Sequence, residues 1–125
     1  MRFFTIALFG VAGVFARYVV GLAAGKFLPT PFPYGTLLIN VVGSFLIGIV
    51  FVLGAERTTI SPELRLGLIV GFLGGFTTFS SYSLDTWMLV EQNRIAYAAS
   101  YFILSPMLGL LAVFGGVYLA RACVS

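Results

Sequence analysis

The chain has 125 residues, of which 60% are hydrophobic and 9% charged, with a mean hydropathy of +1.08; that composition excludes a soluble domain and marks an integral membrane protein. With no histidine and a single cysteine, Cys123, the common metal clusters, histidine-based catalysis and an intrachain disulfide are excluded. The net charge of +3 is scattered over arginines and one lysine, so nothing favours nucleic acid or a polybasic lipid patch.

The length suits about four spanning helices in one all-α membrane domain, residues 1–125, a unit small enough to be expected to oligomerise. The first apolar run covers 3–27 and is interrupted by Arg17. A signal peptide is the alternative, since Met1-Arg2 and Ala23-Ala24-Gly25 loosely imitate one. Arg17 breaks its apolar region, however, and no soluble body follows, so a retained helix is expected. Arg17 itself has two readings: it snorkels to the nearer interface, or it meets an anion pathway or a partner's carbonyls. Gly10 and Gly13 permit close helix packing.

Pro29, Pro31 and Pro33 make 29–33 a rigid connection. The second span, 34–55, carries no charge, and its outlier is Asn40, with Gly43, Ser44 and Gly48 at helical spacing on one side. An asparagine at that depth faces either a helix neighbour, with the glycines allowing close approach, or a pore.

Ser61-Pro62-Glu63 reads as an N-cap, a first-turn proline and an acid that complements the helix dipole, opening a third span over 63–89. Within it, Gly74 to Ser83 holds five Ser and Thr residues and two adjacent glycines. Lipid does not tolerate such a stretch, and a helix break near 74–79, buried in protein or lining a path, is expected. Trp87 reads as an interface anchor. Asp85 reads as a solvated or capped carboxylate at the same boundary, with a proton relay as the alternative. The fourth span, 95–120, is uncharged; Tyr97, Tyr101 and Ser105 recur every four residues, followed by Gly109, and Pro106 frees a carbonyl near Ser105.

With four spans, Arg2, Arg57, Arg65 and Arg121 lie on one side and Lys26 and Arg94 on the other, joined by Arg17 if it snorkels that way. That is a weak positive-inside bias, compatible with insertion both ways and with an antiparallel homodimer. Phe76, Phe79 and Tyr82, three residues apart, present successive rings whose edges favour a small anion. Asn40, Ser80, Ser81 and the tyrosines supply donors for it. Carbonyls of Gly74, Gly75 and Thr77 freed at the break have the opposite polarity, and without acids nearby they suit a monovalent cation.

Three segments together resemble the Fluc (CrcB) fluoride channel family: residues 10–18, 35–45 and above all Gly74-Gly75-Phe76-Thr77-Thr78-Phe79-Ser80-Ser81-Tyr82-Ser83. The resemblance implies a dual-topology, antiparallel homodimer of four-helix subunits in a prokaryotic cytoplasmic (inner) membrane, passing fluoride passively through two pores. It also implies a central structural sodium ion, with fluoride, sodium, a second copy and lipid as the only partners. By motif position, Asn40 is the pore asparagine, Phe79 and Tyr82 are the rings, and Ser80 and Ser81 the hydroxyls beside them. Arg17 is the vestibule arginine, Tyr101 and Ser105 begin a polar track, and the Gly74 and Thr77 carbonyls hold sodium. Tyr82 stands where phenylalanine is common, and Gly109 and Val113 stand where further track hydroxyls are expected.

The main rival is a proton-coupled multidrug transporter of similar size. It needs a buried acid, and Glu56, Glu63, Asp85 and Glu91 all read as lying at or beyond helix ends. A purely structural subunit explains the glycines but not the hydroxyls, and an enzyme is excluded by the lack of a nucleophile and base pair.

Overall fold

Pairs of small residues decide how the helices of this chain meet. The computed structural model describes residues 1–124. Helix α1 spans Arg2–Phe27. Helix α2 spans Tyr34–Phe51 and runs on through a wide, π-type turn, Val52–Glu56. Helix α3 is continuous from Pro62–Leu66 through a second wide segment, Gly67–Leu73, to Gly74–Phe76. Two extended residues separate it from α4, Phe79–Glu91, and α5 spans Ile95–Val124. Among the described residues, four stretches are long and apolar enough to cross a membrane, and α3 with α4 forms the third of them.

The third crossing starts where the sequence places it. The Ser61 hydroxyl accepts from the Leu64 N–H at 3.1 Å, Pro62 occupies the first turn, where its missing N–H leaves nothing unsatisfied, and the Glu63 carboxylate accepts from the Thr5 hydroxyl at 2.9 Å. That last bond ties the start of α3 to the start of α1. Farther along the pair, a Cβ at Gly13 would run into the Phe72 carbonyl, so the two helices meet backbone to backbone.

Helices α2 and α5 meet in the same manner, since a Cβ at Gly116 would run into the Phe45 carbonyl and one at Gly48 would lie 2.5 Å from the Val113 carbonyl. At their outer ends, exposed Arg121 donates from Nε to Glu56 Oε1 at 2.9 Å. The interior is thin: Tyr101 and Val52 are the largest side chains with almost no exposure. Phe3, Phe15, Leu111, Phe114 and Tyr118 point outward, as an apolar solvent requires rather than as a water-soluble fold would allow.

The proline-rich connection does more than turn the chain. Its Phe32 is half-buried and sits edge-on to Tyr97 and Tyr101, with ring centroids 5.8 and 5.6 Å apart. It closes one end of a small cluster of Tyr82, Leu89, Ala98 and Tyr101. That cluster holds α4 against α5 beside the break.

Candidate ion pathway at the helix break

The break consists of Thr77 and Thr78, both extended, with φ/ψ of −85°/157° and −151°/119°. Gly74 and Gly75, whose low helix propensity suggested the break, remain helical. The threonines explain the difference because their side chains bond to the backbone at both helix ends. The Thr77 N–H and hydroxyl both donate to the Leu73 carbonyl, at 2.9 and 2.8 Å, and finish α3. The Thr78 hydroxyl accepts from the Ser81 N–H at 3.2 Å and caps α4, while its proton goes to Ser81 Oγ at 3.1 Å.

Asn40 clips the gap. Its Nδ2 donates to the Thr78 carbonyl at 3.0 Å and its Oδ1 accepts from the Thr78 N–H at 2.9 Å, so the side-chain amide pairs with one backbone residue as a neighbouring strand would. Gly43, one turn along α2, leaves room for the Thr77 methyl, which a Cβ at 43 would strike. One Nδ2 proton remains uncommitted, and Asn40 lines two grooves.

The carbonyls of the break divide unequally. In an unbroken helix the Gly74 carbonyl accepts from the Thr78 N–H and the Thr77 carbonyl from the Ser81 N–H; here those donors go to Asn40 and to the Thr78 hydroxyl. The Gly75 carbonyl, deprived of Phe79 in the same way, accepts from Arg17 Nε at 3.2 Å. Arg17 therefore reaches inward to its own chain's break. Gly74 and Thr77 keep carbonyl oxygens released from helix bonding, Gly74 on the exposed side.

Three grooves surround these groups. The first, of about 400 Å³, brings Arg17 together with Thr36, Thr78, Ser81 and Asp85. The second, of about 380 Å³, is lined by Asn40, Ser44, Gly74, Thr77 and Phe79. The third, also about 380 Å³, is lined by Asn40, Ser44, Phe79, Tyr82, Ser105 and Gly109, with Val113 at its margin. Asn40, Ser44 and Phe79 belong to both of the last two.

The two rings lie 5.7 Å apart at 51° but in different surroundings, since Phe79 is 78% exposed and Tyr82 8%. The Tyr82 hydroxyl donates to the Phe102 carbonyl at 2.6 Å, so it has no proton to offer an anion, and only its ring lines the groove. Tyr101 is fully buried, with its hydroxyl donating to Asp85 Oδ2 at 3.3 Å. It stands behind Tyr82, with centroids 5.3 Å apart, and does not line the groove that Ser105 and Gly109 share. Ser80 is exposed, and Ser105 is buried. Asp85, read from sequence as a boundary carboxylate, is half-buried midway along α4. Ser44 and Thr78 were not singled out as site residues; the signals for them were Ser44 one turn past Asn40 and Thr78 three residues before Ser81, the spacing of an N-cap. Among the described residues no group of His, Cys, Asp and Glu is placed to hold a metal.

The model of the family described as CrcB-like protein, Camphor Resistance (CrcB), matches residues 4–117. The chain belongs to the CrcB family. It is 47% identical over 116 residues to a fluoride-specific ion channel FluC of Nitrobacter winogradskyi, covering 93% of this chain and 92% of that one. It is 45% identical to the protein of the same name from Rhodospirillum centenum, covering 96% and 95%, and 44% identical to that of Geobacter metallireducens, covering 93% and 94%. The CrcB match takes in the whole break and all three of its grooves, and the family is one of ion channels, not enzymes. Family and helices together make this a multi-pass membrane protein.

Proposed function

We propose that this chain forms a fluoride-selective channel giving passive export of fluoride across a prokaryotic cytoplasmic membrane. It works as an antiparallel, dual-topology homodimer with two pores and a central structural sodium ion. The observation that carries the reading is a helix break at membrane depth with two grooves beside Phe79 that are lined between them by neutral donors and a ring pair, Asn40, Ser44, Ser105, Phe79 and Tyr82, with no acid in either. An anion that sheds its water needs N–H and O–H donors and positive ring edges in exchange. Relatives across 92% or more of their length are named fluoride-specific ion channels.

In this reading Arg17, held on the Gly75 carbonyl, gathers anions into the first groove. Asn40 offers its free N–H beside Phe79, and Ser105 continues the path along α5. Tyr82 contributes its ring, while its hydroxyl serves the fold. Ser80 and Ser81 lie at the start of α4, and Tyr101 fixes the ring behind them rather than touching the ion.

The second copy answers a physical need. The Gly74 and Thr77 carbonyls have lost their helical donors, and lipid cannot replace them. Four such oxygens, two from each of two antiparallel chains, fit a cation, and their neutrality suits sodium better than calcium. Bound there, sodium supplies one positive charge between the pores. Purified protein in liposomes should release fluoride far faster than chloride under a fixed potential; retention equal to that of empty liposomes would overturn the reading. Tags at the C-terminus should be reached from both sides of the membrane, and one-sided access would reject dual topology.

A further inference from the structure

Some serines and threonines in this chain return their hydroxyl to the carbonyl one turn back: Thr77 to Leu73, Ser83 to Phe79 and Thr86 to Tyr82, at 2.8 to 3.1 Å. That is the ordinary use of such a side chain in an apolar medium. Ser44 does not follow it. It is half-buried on α2, lines both grooves that flank Phe79, and donates no hydrogen bond within the protein among the described residues.

Its position relative to α5 gives the reason. Ser105, Gly109 and Val113 recur every four residues along α5 and line one groove. Ser105 brings a hydroxyl, Gly109 no side chain, and Val113 an apolar one. A Cβ built on Gly109 would lie 3.4 Å from Ser44 Oγ. The hydroxyl of Ser44 thus stands at the place that a side chain at 109 would reach. The contact of Gly48 and Gly116 with the facing backbones, one turn beyond Ser44 on α2 and two turns beyond Gly109 on α5, fixes this spacing.

We infer that Ser44 is a pore residue that solvates the permeating ion opposite Gly109, supplying from α2 the hydroxyl that α5 lacks. This rests on the fluoride channel reading. Asn40 and Ser44, one turn apart, face Ser105 across the groove, so a fluoride ion leaving the Asn40 and Phe79 level finds two hydroxyls from opposite walls. Beyond them Leu110 and Val113 of α5 are apolar, which makes Ser44 the last donor in that groove.

The test compares fluoride release from liposomes holding wild type, F79I, S44A, G109S or S44A/G109S, each first shown to elute as the wild-type assembly. Loss of one hydrogen bond at the barrier should slow S44A about tenfold. S44A/G109S should recover most of that rate, because the second change restores a hydroxyl from the other helix into the space the first vacates. S44A at the wild-type rate with F79I slow would overturn the inference and leave the channel reading standing. S44A/G109S as slow as S44A would also overturn it, since Ser44 would then act through packing. Wild type that retains fluoride like empty liposomes would remove both.

Discussion

The Tyr82 hydroxyl donates to the Phe102 carbonyl at 2.6 Å, and Phe102 is the residue four before Pro106, which lies inside α5. Pro106 has no N–H to return to that carbonyl. The phenol from α4 takes its place, so a kink-prone position in one helix is repaired by a side chain of another.

Tyr82→Phe should therefore separate stability from conduction. The ring remains and fluoride flux should stay near wild type, while an unpaired carbonyl at bilayer depth should lower unfolding stability by about 1–3 kcal/mol. Adding Pro106→Ala restores an N–H to Phe102, so Tyr82→Phe should cost much less in that background. Equal losses of melting temperature in both backgrounds would show that the bond does not serve the proline gap.

Asn40 holds Thr78 with one amide and is proposed to meet the ion with the same group, and two substitutions should divide the two roles. Asn40→Asp keeps an acceptor for the Thr78 N–H but places a negative charge where the anion passes, so the chain should still assemble while flux falls steeply. Asn40→Ala removes both bonds to Thr78 and should destabilise the break itself, by about 1–3 kcal/mol for each buried group left unpaired. If Asn40→Asp conducts like wild type in liposomes, Asn40 is a clip only.

The break was legible in the sequence to within a few residues, since hydroxyls inside an apolar run demand protein or a path around them. Its cause was not. Gly74 and Gly75 stay helical, and the chain opens at Thr77 and Thr78 because their hydroxyls take over as acceptor and donor at the two helix ends, which needs the three-dimensional positions of Leu73 and Ser81. Arg17 shows the same limit: either direction of its side chain suited the sequence, and only the Gly75 carbonyl, left without Phe79, decides between them. Tyr101 continued a four-residue stripe with Ser105, yet Phe32 from the proline connection and Asp85 from α4 enclose it, and neither contact has a local signature.

Asp85 separates channel from proton-coupled transporter. It is half-buried in α4, accepts from Tyr101, and shares the first groove with Arg17. A carboxylate at the mouth of an anion path repels the ion, so Asp85→Asn should leave fluoride flux equal or higher, with no proton movement coupled to it. An exchanger would lose transport altogether when its acid is neutralised. Complete loss of fluoride flux in a folded Asp85→Asn variant would count against passive conduction.

Sodium is the remaining test, and its sign follows from the carbonyls. Gly74 and Thr77 have surrendered their donors to Asn40 and to the Thr78 hydroxyl, and an oxygen without a partner at this depth costs several kcal/mol. An ion bound only by the assembled state stabilises that state by mass action, more strongly as its concentration rises above the dissociation constant. Replacing sodium by a large organic cation at constant ionic strength should thus lower the melting temperature of the purified protein and slow fluoride release together. Restoring sodium should reverse both. A melting temperature indifferent to sodium from trace to about 0.1 M, near physiological ionic strength, would exclude a cation on these carbonyls, whatever the fate of fluoride conduction.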